Sequence, residues 1–182
     1  MGAMTADPSP EAVRWLHGDE QQAWRSFVTG TRRLLDHLER DLKAHGLTHD
    51  DYGLLVVLSE AEGGRLRMAD LAARSVESRS RLSHHVARLE GKGLVTRESC
   101  AEDGRGLFAV LTDRGRQVME ETAPHHVAGV RAYFLDHLRP EELAAIGTAF
   151  ARIEGACTAA CASAGEAPDD AACDRAPDRS DA

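Results

Sequence analysis

Aromatic side chains are scarce in this chain, two Trp, two Tyr and four Phe among 182 residues. That scarcity points to a helical core packed from Leu, Ala and Val. No run approaches the roughly 18 apolar residues that a membrane-spanning helix needs, so a spanning protein is excluded. The opening Met1-Gly2-Ala3-Met4 leads into polar residues without a secretory pattern. A cytoplasmic location is therefore expected, with Met4 a candidate natural start. The four cysteines lack the spacing of a disulfide framework, which fits a reducing compartment. A phosphate-binding loop, a nucleophile elbow and a zinc-hydrolase spacing are all missing, so no enzyme, cofactor or metal site is expected. Positive charge is short as well: 22 Lys and Arg against 30 Asp and Glu give a net charge of −8. Such a chain does not coat nucleic acid indiscriminately, but the field that matters for recognition is local. From Gly64 to Arg114 the balance reverses, with ten Lys and Arg against seven Asp and Glu.

Four regions follow from composition and periodicity. Residues 1–18, with Pro8 and Pro10 ahead of the apolar Val13, Trp15 and Leu16, read as an arm. Residues 161–182, rich in Ala, Asp and Pro, bury too little to fold and are expected to be a disordered tail. Between them, residues 19–46 and 116–160 read as long helices, and residues 47–115 as a compact mixed domain. In the first long helix Trp24, Phe27, Val28, Leu34, Leu35, Leu38 and Leu42 recur at helical spacing before the stop at Gly46. This apolar face is wider than one small domain requires, as a dimer interface would be. Thr48 is placed to cap a helix over Asp50–Ala61, with Asp50 and Asp51 at its positive end. A helix from Thr112 is expected to reach about Leu138, bent at Pro124. Arg139-Pro140-Glu141-Glu142 opens a last helix carrying Leu143, Ile146, Phe150 and Ile153.

The middle domain carries the chemistry. Met68–Arg74 reads as a short helix, reached through a strand or bridge at Arg65-Leu66-Arg67. A second helix runs from Ser78 to Glu90 and stops at Gly91-Lys92-Gly93. On a helical wheel Leu82, Val86 and Leu89 share one side. Ser80, His84 and Ala87 lie opposite, flanked by Arg81, Ser83 and Arg88. That outer face is short-chained or hydrogen-bonding and holds no acid before Glu90. A major groove admits such a helix, with arginine able to grip guanine and Ser or His able to reach base edges or phosphates. Two β-prone segments, Leu94–Glu98 and Leu107–Leu111, then flank the tip Glu102-Asp103-Gly104-Arg105-Gly106. Arg105, oriented by Asp103 and projected between glycines, suits a narrow minor groove where the potential is most negative.

Asp103-Gly104-Arg105 followed by Leu111-Thr112-Asp113-Arg114-Gly115 resembles the D-x-R…L-T-x-x-G wing signature of the MarR family of bacterial transcription regulators. Ser80 to Glu90 with Gly93-Leu94-Val95 is similar to that family's recognition helix and wing start, and the resemblance covers roughly residues 20–155. It implies a mainly α fold with a small β-hairpin wing, a winged helix-turn-helix whose terminal helices form a dimerisation body. It also implies a homodimeric repressor on a pseudo-palindromic double-stranded DNA operator, released by a small-molecule effector or by oxidation. Carried over to this chain, DNA contact falls to Arg79, Ser80, Arg81, Ser83, His84, Arg88 and Arg105, with Asp103 orienting Arg105.

The effector is less legible. The family's cleft lies between the dimer helices and the reading head, where Trp15, Trp24, His37 and Tyr52 are candidates. A thiol-based switch is the alternative: Cys157 and Cys161 share a helix face and Cys100 precedes the wing tip. No basic neighbour is placed to activate Cys157 or Cys161. Adjacent histidines, His84-His85 and His125-His126, diverge by about 100° on a helix and chelate poorly. His85 flanks the apolar face and reads as a packed or capping histidine. A winged helix that binds protein rather than DNA is the remaining alternative.

Overall fold

A computed structural model describes residues 13–99 and 106–163. The chain divides into two compact units, Met1–Asp36 and His37–Ala182. Helix α1, Gly18–Lys43, belongs to both. In the first unit Glu20 closes the amino-terminal end of the helix, its carboxylate accepting from the His17 amide at 2.8 Å and pairing with Arg14 at 3.2 Å. Trp15, Trp24, Phe27, Val28 and Leu35 all remain exposed, with the Trp24 and Phe27 rings 5.8 Å apart.

The second unit opens with the last turns of α1. These end two residues earlier than the apolar pattern predicts, because Ala44–Gly46 form a turn that Gly46 completes at φ +74°. The Leu47 amide donates back to the Leu42 carbonyl, and a left-handed glycine makes that return possible. Thr48 then caps α2, His49–Ser59, its hydroxyl accepting from the Asp51 amide while the Asp51 carboxylate accepts from the Thr48 amide. This reciprocal box satisfies two otherwise orphaned donors. Strand β1, Arg65–Arg67, leads directly into α3, Met68–Arg74, and a four-residue turn leads to α4, Arg79–Gly91. Strands β2, Val95–Ser99, and β3, Leu107–Leu111, complete an antiparallel sheet ordered β1-β3-β2. Leu66 opposes Ala109 on one side of β3, and Val95 opposes Leu111 on the other. Arg65-Leu66-Arg67 is thus a true third strand, and its Arg65 guanidinium sits 3.8 Å over the Phe108 ring.

Leu42, Leu55, Leu58, Leu71, Val86, Leu89, Val95 and Ala109 are fully buried and draw α2, α3, α4 and the sheet around one core. Each buried Leu or Val contributes about 1.5–3 kcal/mol relative to exposure. Helix α5, Asp113–Tyr133, joins this core through the L-T-x-x-G corner. Thr112 caps it, its hydroxyl accepting from the Gly115 amide and lying 2.8 Å from the Gly93 carbonyl oxygen. Gly115 presses so closely on the Leu94 carbonyl that a β-carbon there would lie 2.1 Å from the oxygen. The α-helix continues through Pro124 but stops at Tyr133, short of the expected Leu138. Phe134 leaves helical geometry, and the His137 ring lies 2.9 Å from the Ala132 carbonyl, satisfying an acceptor near the helix end. Helix α6 follows over Pro140–Ser163, taking in the first three residues of the expected tail. The rest of that tail, most of the arm at 1–12, and Cys100, Asp103 and Arg105 lie outside the described residues. Among the described residues no helix is long and apolar enough to cross a membrane.

Candidate nucleic-acid interface

Helix α4 begins where Ser78 accepts the Arg81 amide at 3.3 Å, a cap that leaves its first turn facing outward. The turn before it contains Val76 at φ +55°, a left-handed conformation that a β-branched residue adopts only under strain. Leu82, His85, Val86 and Leu89 are buried; Arg79, Ser80, Arg81, Ser83, His84 and Arg88 are all exposed. Six of the eight site residues expected from sequence are therefore solvent-exposed on the part of α4 that the core leaves free. The other two, Asp103 and Arg105, lie outside the described residues.

Beneath this face lies a charged arrangement that the sequence reading did not assemble. Asp51 of α2 is fully buried, yet its carboxylate meets His85 and Arg88 of α4 and Lys92 directly after that helix. The Arg88 guanidinium donates to Oδ1 at 2.7 Å and the Lys92 ammonium to Oδ2 at 2.8 Å. His85 Nε2 stands 3.0 Å from Oδ1, and its Nδ1 stands 2.9 Å from Glu77 Oε1. Lys92 also donates to the Gly46 carbonyl at 2.9 Å, so one ammonium ties α4 to both ends of the capping turn. Arg81 pairs with Asp50 at 3.1 Å and approaches Glu77 Oε2 at 3.8 Å.

Burial pushes the Asp51 carboxyl up, but the hydrogen bonds from His85, Lys92, Arg88 and the Thr48 amide outweigh it. They hold the group well below the usual carboxylate range. Burial likewise pushes His85 down, and its bonds to Asp51 and Glu77 outweigh that and raise it. Arg81 and Arg88, 68 % and 51 % exposed, are thus anchored by acids of α2 while still facing solvent. A signal for the Asp51–His85 contact alone is present in the sequence: Asp51 shares the helical stripe of Leu54, Leu55 and Leu58, and His85 that of Leu82, Val86 and Leu89. A charge on each of two facing apolar stripes must find a partner.

The wing is tied to α4 by Arg97, which donates to Glu90 through Nε at 2.9 Å and Nη2 at 2.6 Å. These bonds, chiefly, hold the Glu90 carboxyl below its ordinary value. An open groove of roughly 490 Å³ lies elsewhere in the second unit, lined by Asp41, His45, His125, Gly129 and Tyr133 among others. None of Trp15, Trp24, His37 and Tyr52 lines it. Tyr52 is buried 4.6 Å from the His126 ring, and His37 stacks 4.7 Å from Tyr133. Cys157 is exposed. Among the described residues no group of three or more His, Cys, Asp or Glu is arranged to hold a metal ion.

Comparison with known proteins agrees with this geometry. A MarR-family model matches residues 45–106, from the capping turn to the residue before β3. The curated HTH-type transcriptional regulator TtmR of Methylorubrum extorquens is 33 % identical over 119 residues, covering 64 % of this chain and 56 % of that one. The crystal structure of AbsC, a MarR family transcriptional regulator from Streptomyces coelicolor, is 49 % identical with a TM-score of 0.78, covering 81 % of this chain and 99 % of that one. Sco3205 from the same organism, a family member solved in complex with DNA, is 47 % identical with a TM-score of 0.76 over 78 % and 90 % of the two chains. A capped recognition helix, a three-stranded wing and likeness over nearly the whole of AbsC converge: the chain belongs to the MarR family of winged helix-turn-helix, DNA-binding transcriptional regulators.

Proposed function

We propose that the chain acts as a homodimeric repressor that reads a pseudo-palindromic operator with two copies of α4. The observation that carries this reading is the solvent-exposed part of α4, where Arg79, Ser80, Arg81, Ser83, His84 and Arg88 are all exposed. We assign them to base edges and phosphates of a major groove, and Arg105, oriented by Asp103, to the adjoining minor groove. One such helix spans only a few base pairs, so useful affinity calls for two, about one DNA turn apart. Residues 47–115 are the reading head in this assignment, and residues 19–46 with 116–160 supply the dimer contact. Exposed Val127, Tyr133, Leu143, Phe150 and Ile153 offer apolar area for it. A dimer seated on its operator excludes other proteins from that stretch, which is the physical basis of repression. The groove beside α5 is of a size that small ligands occupy, and we assign release to a small-molecule effector bound there.

The test is fluorescence anisotropy of the full chain with DNA upstream of its own gene, against scrambled DNA, over a salt series. Saturable binding of one dimer per site, far tighter than the scrambled control, is expected. Equal, weak and steeply salt-dependent binding to both would mean only phosphate attraction and would favour a protein-binding winged helix. Arg105→Ala is expected to weaken binding and to lessen preference for A·T-rich flanks. Arg88→Ala should cost about 1–3 kcal/mol unevenly across operator variants if it reads a base.

A further inference from the structure

We infer that Asp51, His85 and Glu77 form a proton-dependent clamp that sets the position of α4, so that DNA affinity depends on the protonation of a buried residue that touches no DNA. The inference rests on α4 being the DNA-reading helix. His85 lies in the core, 5 % exposed, with a carboxylate oxygen at about hydrogen-bond distance from each ring nitrogen. Two carboxylate acceptors require two donors, and only the imidazolium donates from both nitrogens. A neutral ring would set a lone pair against either Asp51 Oδ1 or Glu77 Oε1. The charged groups joined in this arrangement are Asp50 and Asp51 from α2, Glu77 from the turn, Arg81 and Arg88 from α4, and Lys92 directly after it. Asp51 is shared, because the Oδ1 that meets His85 also accepts from Arg88.

Loss of the His85 proton leaves the ring able to donate to only one of the two carboxylates, so either Asp51 is left to Arg88 and Lys92 or Glu77, at the entry to α4, loses its tie to the helix. His85 is raised above its ordinary value, so the protonated clamp is intact below about pH 6.5 and is lost as pH rises through the raised value. DNA affinity and thermal stability should fall together over that window. The residues act through Arg88 and the helix entry, as positioning residues.

The test uses the full chain and a fluorescein-labelled duplex enriched by the wild type from a random library at low pH. Affinity is measured by anisotropy from about pH 5.5 to about pH 9 at fixed ionic strength, alongside NMR titration of the His85 ring and thermal melts. For the wild type, affinity should drop about fivefold or more across the NMR midpoint of His85. Glu77→Gln should move that midpoint to lower pH while keeping the low-pH affinity. His85→Gln should remove this component, leaving only what exposed His84, retained in both proteins, contributes. Asp51→Asn should weaken binding about tenfold at low pH. If that variant does not fold, the Glu77 and His85 variants carry the test unaided. Parallel pH profiles for wild type and His85→Gln, or an NMR midpoint below that of a free histidine, would overturn the clamp alone. Failure of the wild type to enrich any duplex would overturn the reading of α4 and the clamp with it.

Discussion

Helices α4 and α6 lie in the same unit and meet opposite fates. Over its 13 residues α4 buries Leu82, Val86 and Leu89, and its one buried histidine has partners on both ring nitrogens. Its remaining surface is polar, as a helix finished within its own chain should be. Helix α6 is nearly twice as long, yet Leu143, Phe150 and Ile153 all remain exposed, Ile153 by 54 %. A soluble monomer rarely leaves such a stripe to water. The contrast is one of burial: α4 packs its apolar side chains into the core and ties its charges to α2, whereas α6 leaves Leu143, Phe150 and Ile153 exposed.

Substitutions can break or sharpen this contrast. Leu82→Ala empties a core position on α4 and should cost about 3 kcal/mol in urea unfolding; a loss no larger than that of Ile153→Ala would show that the two helices are equally finished. Gly115→Ala forces a β-carbon against the Leu94 carbonyl and should cost about 2 kcal/mol, because the α5 corner must shift. An unchanged melting temperature would mean that the corner yields freely. Thr48→Ala removes one half of the α2 capping box and should cost about 1 kcal/mol. If melting is unaltered, Asp51 and its cationic partners hold that helix end without the cap. Phe150→Asp combined with Ile153→Asp should change the unfolding of the dilute chain least, by under about 0.5 kcal/mol. Sedimentation velocity should nevertheless show the variant as monomer where the wild type is dimer. A wild type that sediments as monomer at every concentration would remove the interface assigned to α6.

Much of this was readable in advance because helical periodicity and capping are local properties. Met68–Arg74 matches α3 residue for residue, the helix expected over Ser78–Glu90 is α4 displaced by one residue with Ser78 as its cap, and Thr112 caps α5. The ends were harder to read: α5 stops at Tyr133 because of a backbone departure at Phe134 and a return contact from His137, neither of which apolar spacing encodes. Asp51 was read only as a favourable charge at a helix start. Its larger part, receiving His85 and Arg88 of α4 and the Lys92 that follows it, and so joining residues 34 to 41 positions apart, exists only once two helices have docked. Arg81 and Arg88 were legible as exposed cations on the right face, but their attachment to Asp50 and Asp51 was not.

Val76 is 88 % exposed and holds a left-handed backbone in the turn between α3 and α4. The conformation costs a residue other than glycine about 1–2 kcal/mol, and so exposed a side chain recovers little of it through packing. For laboratory evolution this turn is an inexpensive route to a hardier protein. Asn or Gly at position 76 should return about 0.5–1 kcal/mol, and Asn should do so without glycine's added freedom in the unfolded chain. A screen for heat-tolerant variants would be expected to select this exposed position early.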